Sequence, residues 1–158
     1  MRRFAQLAGA GLWLAAGSLA AQGPPAGGPP QPDEVTPLAV PYLAQTQLLC
    51  GGAALAMVER WWGRRGVFAE DFAALVRPAL GGIRTTDLVA AARSRGWDAR
   101  ETERTVEAVQ RSLRAGVPVI ALIEVARDRY HFVVLLSWDR GQVVYHDPAE
   151  GPDRAAGS

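Results

Sequence analysis

The chain has one cysteine, Cys50, and two histidines, His131 and His146, among its 158 residues. A lone cysteine excludes an intramolecular disulfide and every paired-cysteine zinc site. No His-Glu-x-x-His helix is present, so no metal is expected. Neither is there a Gly-x-x-x-x-Gly-Lys loop to cradle nucleotide phosphates, and no ATP or other cofactor is expected. Charge of one sign is not in excess: 17 Lys and Arg stand against 16 Asp and Glu. That balance excludes a basic stripe for nucleic acid and gives little attraction to a membrane surface. No internal repeat is visible, and the length suits a single domain.

What is present begins with an export signal. Arg2 and Arg3 precede an apolar run, Phe4 to Ala16, and the small residues Gly17, Ser18, Ala20 and Ala21 follow. This order predicts a signal peptide over residues 1–20, cleaved after Ala20, and hence export to the bacterial periplasm or exterior. The alternative is an uncleaved anchor, since the run approaches the length of a span. No cysteine follows the run to carry a lipid. Residues 21–37 are rich in Gly and Pro, bury nothing, and read as a tether. The folded domain is expected over residues 38–152, with a tail over 153–158.

Cys50 opens a run of good helix formers, Gly51 to Trp62, closed by Gly63. Its apolar positions Ala53, Ala54, Met57, Val58, Trp61 and Trp62 form one wide face, so this helix is expected at the centre of the domain. Trp97 and Trp138 are also read as core. Further helices are predicted over Glu70–Val76, over Thr86–Arg95 with Thr85 as cap and Gly96 as stop, and over Val106–Ala115. Pro118–Glu124, His131–Trp138 and Gln142–Asp147 then read as strands. Helices first and strands later predict an α+β domain, with the central helix packed on an antiparallel sheet. For the last two strands, a three-residue loop Asp139-Arg140-Gly141 pairs Trp138 with Gln142 and brings Val133 opposite Asp147. Alternation then puts His131, Val133 and Asp147 on one face and His146 on the other, where it reads as structural or exposed.

In an oxidising compartment a lone cysteine is a buried small side chain, an intermolecular bridge, or a reactive thiol. Cys50 stands where a helix N-terminus favours thiolate, and an imidazolium nearby would favour it further. His131 is the candidate base and Asp147 the residue that would orient its ring, unless Asp147 only forms a turn before Pro148. Gln45, with Gln47 as competitor, is the candidate side chain for an oxyanion, beside the Cys50 backbone N–H.

The run Val40-Pro41-Tyr42-Leu43-Ala44-Gln45, then Cys50-Gly51-Gly52-Ala53-Ala54-Leu55-Ala56-Met57-Val58 and Trp62-Gly63, resembles the bacteriocin-processing (double-glycine leader) peptidase family and its exported relatives. The resemblance continues through Gly81-Gly82-Ile83-Arg84-Thr85-Thr86-Asp87-Leu88, His131-Phe132-Val133-Val134-Leu135 and Asp147-Pro148. It implies a papain-like cysteine peptidase fold, a peptide or protein substrate, and catalytic roles for Gln45, Cys50, His131 and Asp147. Peptide-bond hydrolysis through a thioester on Cys50 is the expected chemistry. A peptide-binding module without turnover and a thiol acyltransferase are the alternatives. Two departures are visible. The family continues past Asp-Pro with another strand, where this chain has only Glu150 to Ser158. Leader-cleaving members also belong to ATP-driven exporters, so leader processing and ATP binding are not carried over.

Overall fold

The computed structural model describes residues 35–157. The expected signal peptide and nearly all of the tether lie outside the described residues. Helix α1, Cys50–Trp61, begins with small residues because two other elements press on its first turn. A Cβ on Gly52 would stand 2.7 Å from the Ala69 carbonyl oxygen, and one on Gly51 would stand 3.1 Å from the Phe132 ring. Glycine is what allows those approaches. Every residue from Cys50 to Met57 is buried, as the apolar run predicts. Trp62 departs from the expectation: it is 50% exposed, because it caps the helix where the chain leaves the core. Trp61 and Trp97 pack against the core as expected.

The helix expected over Glu70–Val76 is a 3₁₀ helix, Ala69–Leu75, followed by a second short one, Pro78–Leu80. Helix α2 spans Thr85–Ser94 and ends at Gly96, whose φ of 91° suits glycine. Thr85 is its first helical residue, not its cap; Arg84 holds that position without a capping side chain. Helix α3, Val106–Arg114, is capped by Thr105, which accepts a hydrogen bond from the Ala108 N–H at 3.2 Å. One buried charge escaped the sequence reading. Glu59 on α1 is 1% exposed and accepts from Nε and Nη2 of Arg95 at 2.7 and 2.8 Å, locking α1 to the end of α2.

Strands β1 (Val119–Ala126), β2 (Arg129–Asp139), β3 (Gln142–Asp147) and β4 (Gly151–Gly157) form one antiparallel sheet in that order. Phe132, Val134 and Leu136 of β2 join the cluster around α1, while Val133 and Leu135 join Leu113 of α3. β2 is therefore covered on both faces, which explains its unbroken apolar run. Among the described residues no helix is long and apolar enough to cross a membrane.

Two details of the sheet differ from expectation. The β2–β3 turn has two residues, Arg140 and Gly141, both with positive φ (46° and 77°), and pairs Asp139 with Gln142. A bulge at Leu136 then shifts the register, so that Leu135 meets Tyr145 and Val134 meets His146. The shorter turn and the extra residue offset each other, and the register expected at this end of the hairpin is reached by another route, with Val134 opposite His146. The chain beyond 152 is also not a tail. Residues 151–157 pair with β3, Arg154 opposite Tyr145. Their sequence carries no strand pattern because their side chains are exposed, and their backbone does the pairing.

Candidate active site

The segment before α1 makes a turn in which the Leu49 N–H donates to the Thr46 carbonyl at 3.1 Å. Leu48, third in that turn, has a φ of 65°, a left-handed conformation that a leucine adopts at a cost of about 1–2 kcal/mol. The turn delivers the chain directly into α1, so Cys50 is its first helical residue. The first turn of α1 carries no acidic side chain and no side-chain cap. Its positive end is thus left to act on the Cys50 sulfur.

His131 enters from β2, where it pairs with Ile123 of the edge strand β1. Its Nε2 lies 2.7 Å from Asp147 Oδ1 at the end of β3. Because Asp147 occupies Nε2, Nδ1 is the ring nitrogen left for the thiol. Asp147 is held in turn by its own corner: the same Oδ1 accepts from the N–H groups of Ala149 at 2.8 Å and Glu150 at 3.2 Å. A side chain that both ends a strand and organises the following turn has little freedom to rotate away from His131.

The electrostatics of the pair follow from these contacts. Burial is the largest influence on Cys50 and opposes ionisation. Hydrogen bonding to His131, the Phe132 backbone, the charge of His131 and the Gly51 backbone together outweigh it, and the thiol is held below its ordinary value. His131 is raised above its ordinary value, first by its hydrogen bond with Cys50, against burial, and then by the hydrogen bond and charge of Asp147. The two shifts act in the same sense: both favour thiolate beside imidazolium.

The structure thus brings Cys50, His131 and Asp147 together. Gln45 is anchored nearby through its backbone, its N–H donating to the Pro148 carbonyl at 2.9 Å beside the Asp147 corner. The Gln45 Oε1 is buried and has no hydrogen-bond partner, so this amide is not committed to holding the fold. Gln47 is exposed in the turn. His146 is buried, not exposed, on the opposite side of β3 from Asp147. Sequence reasoning did not find Tyr42, whose hydroxyl donates to the carbonyls of Asp147 and Pro148 at 3.3 and 3.4 Å. Only its place in a Pro-Tyr run before Gln45 distinguishes it in the sequence. Among the described residues no three His, Cys, Asp or Glu side chains are grouped to hold a metal ion.

Residues 37–156 match the model of the Peptidase_C39 like family. Three solved structures share the fold. One is a C39-like peptidase from Bacillus anthracis, at 19% identity and a TM-score of 0.62 over 79% of this chain and 88% of that one. Another is the double-glycine motif protease of an AMS/PCAT transporter in complex with its leader peptide, at 24% identity and a TM-score of 0.58 over 77% and 81%. The third is the peptidase domain of Streptococcus ComA, a bifunctional ABC transporter involved in quorum sensing, at 18% identity and a TM-score of 0.63 over 75% and 86%. No curated protein matches the sequence. The α+β arrangement of this chain is that of the papain-like C39 peptidase domains.

Proposed function

Because this chain belongs to the Peptidase_C39 like family, we propose that it is a cysteine peptidase that hydrolyses peptide bonds through a thioester on Cys50. The observation that carries this is the convergence on one sulfur of an uncapped helix N-terminus and a histidine held by a carboxylate. The Cys50 thiolate attacks the substrate carbonyl carbon, and as the S–C bond forms the π pair of the carbonyl moves onto its oxygen as an oxyanion. The Cys50 N–H and the Gln45 side-chain amide stabilise that charge, the Gln45 amide turning about its last bond to present its nitrogen. His131 gives its Nδ1 proton to the leaving amine as the C–N bond breaks. Neutral His131 then takes a proton from water, whose oxygen attacks the thioester. The acid departs, and thiolate and imidazolium are restored. Asp147 holds the ring in the orientation both transfers need.

We infer further that the substrate is a peptide or protein and, from the export signal expected over residues 1–20, that the enzyme acts outside the cytoplasm. Iodoacetamide labelling near pH 5.5 tests the activated thiol, since an ordinary cysteine is almost wholly protonated there. Cys50 should react faster than free cysteine, and His131→Ala should remove the advantage. Equal rates for Cys50 and free cysteine, or an unchanged rate in His131→Ala, would end the proposal. Product mass in the presence of an added amine distinguishes hydrolysis from acyl transfer.

A further inference from the structure

His146 takes no part in the chemistry described above, yet it is 3% exposed and hydrogen-bonded at both ring nitrogens. Its Nε2 lies 2.8 Å from the Val40 carbonyl oxygen, and its Nδ1 lies 3.1 Å from the Asp153 backbone nitrogen. A carbonyl can only accept and a backbone N–H can only donate. The ring therefore carries one proton, on Nε2, donates to Val40, and accepts from Asp153. It joins β4 on one side to the segment before α1 on the other.

That segment runs from Leu38 to Gln45 outside any strand, and it carries Gln45. Its ends are held by backbone bonds: the Leu38 N–H donates to the Leu136 carbonyl at 3.1 Å and the Gln45 N–H to the Pro148 carbonyl at 2.9 Å. Between them, His146 supplies the short side-chain bond at Val40, and its ring meets Tyr42 edge to face at 5.5 Å. Tyr42 then reaches the Asp147 and Pro148 carbonyls by longer bonds. The path from His146 to Gln45 is thus a short stretch of chain pinned at Val40, Tyr42 and Gln45.

We propose that His146 is a positioning residue: it fastens the Val40–Gln45 segment to the sheet and thereby sets the place of the Gln45 amide. The effect on turnover rests on the oxyanion role proposed above for Gln45; the effect on the segment does not.

The predicted behaviour separates His146 from a merely structural histidine. His146→Phe keeps a ring but leaves the Val40 carbonyl and the Asp153 N–H without partners. It should lower kcat about tenfold, less than outright removal of an oxyanion donor, with KM unchanged. The pH profile of Cys50 alkylation should stay the same, because displacement of iodide builds no oxyanion. His146→Gln, which keeps a donor and an acceptor, should restore most of the loss. In a Cys50→Ala background, His146→Phe should speed amide hydrogen exchange at Gln45 at least tenfold and leave Met57 in α1 unchanged. Unchanged exchange at Gln45, or an alkylation rate that falls in step with kcat, would overturn the proposal. If the wild-type protein cleaves no peptide, the peptidase reading fails, while the exchange result still decides the role of His146. Should His146→Phe not fold, nitrogen chemical shifts of the wild-type ring decide instead. An Nε2–H tautomer with a slowly exchanging proton is required, and an Nδ1–H or averaged ring refutes it.

Discussion

Replacing Asp147 by Asn removes one negative charge from beside His131 and leaves an amide oxygen able to accept the same hydrogen bonds. In the native protein that charge lies against the ring, with Oδ1 at 2.7 Å from Nε2 and side-chain exposures of 13% for His131 and 9% for Asp147. Opposite charges about 4 Å apart attract by about 4 kcal/mol at the effective dielectric typical of such sites. A neighbouring carboxylate accordingly shifts a titration by about 1–3 pH units. The hydrogen bond with Cys50 is the largest influence raising His131, and it survives the substitution. The expected change is therefore a fall of the His131 midpoint, with the contribution of Cys50 left in place. With only two histidines in the chain, ring carbon shifts followed by NMR from pH 4 to 10 resolve both, and His146→Gln assigns them. Activity against pH should narrow from the alkaline side, where imidazolium is lost, and keep its acid limb. A His131 midpoint that rises, or moves by less than about 0.3 pH unit, would refute the account of Asp147 as the charge that holds the imidazolium.

The Cys50–His131 pair also shapes stability. Below the ordinary histidine value of 6.5 the unfolded chain binds more protons than a folded chain holding thiolate, so stability is lost as pH falls. Above the ordinary thiol value of 9.0 the unfolded chain has lost the proton that folded His131 retains, so stability falls as pH rises. The melting temperature of wild type minus that of Cys50→Ala should peak between those values and shrink on both sides; a flat difference would contradict the ion pair. Gly52→Ala drives a Cβ to 2.7 Å from the Ala69 carbonyl, and should cost about 1–2 kcal/mol after the gain in helix propensity. Gly51→Ala meets the Phe132 ring at 3.1 Å and Ile83 at an ordinary contact distance of 3.5 Å, with no backbone in the way, and should cost less. Urea unfolding of both variants compares them, and equal stability would show that α1 is not pinned against the 3₁₀ helix.

Local signals account for the elements that were found from the sequence. The small, apolar start of α1, the Gly96 stop of α2 and the β-branched run of β2 are written in neighbouring residues, and each element stands within a few positions of its expected place. The errors fall where side chains carry no pattern. β4 is invisible because its side chains are exposed and carry no apolar alternation, while its backbone makes the pairing. Trp62 reads as core by helical spacing, although the helix has ended. The bulge at Leu136 cannot be told from an ordinary strand residue, and it reached the right register only by offsetting a turn one residue shorter than expected.

Residue order alone determined that a cysteine would begin a buried helix, and that a histidine and an aspartate would lie on neighbouring strands, because helix starts and strand alternation depend on contacts a few residues apart. Tertiary structure decided the rest: that the His131 ring meets the Cys50 sulfur, that the Asp147 corner grips that ring, and that His146 faces the chain carrying Gln45. Those meetings depend on how α1 and the segment before it lie on the sheet. That placement is set by packing and hydrogen bonds between distant residues, which no local period encodes.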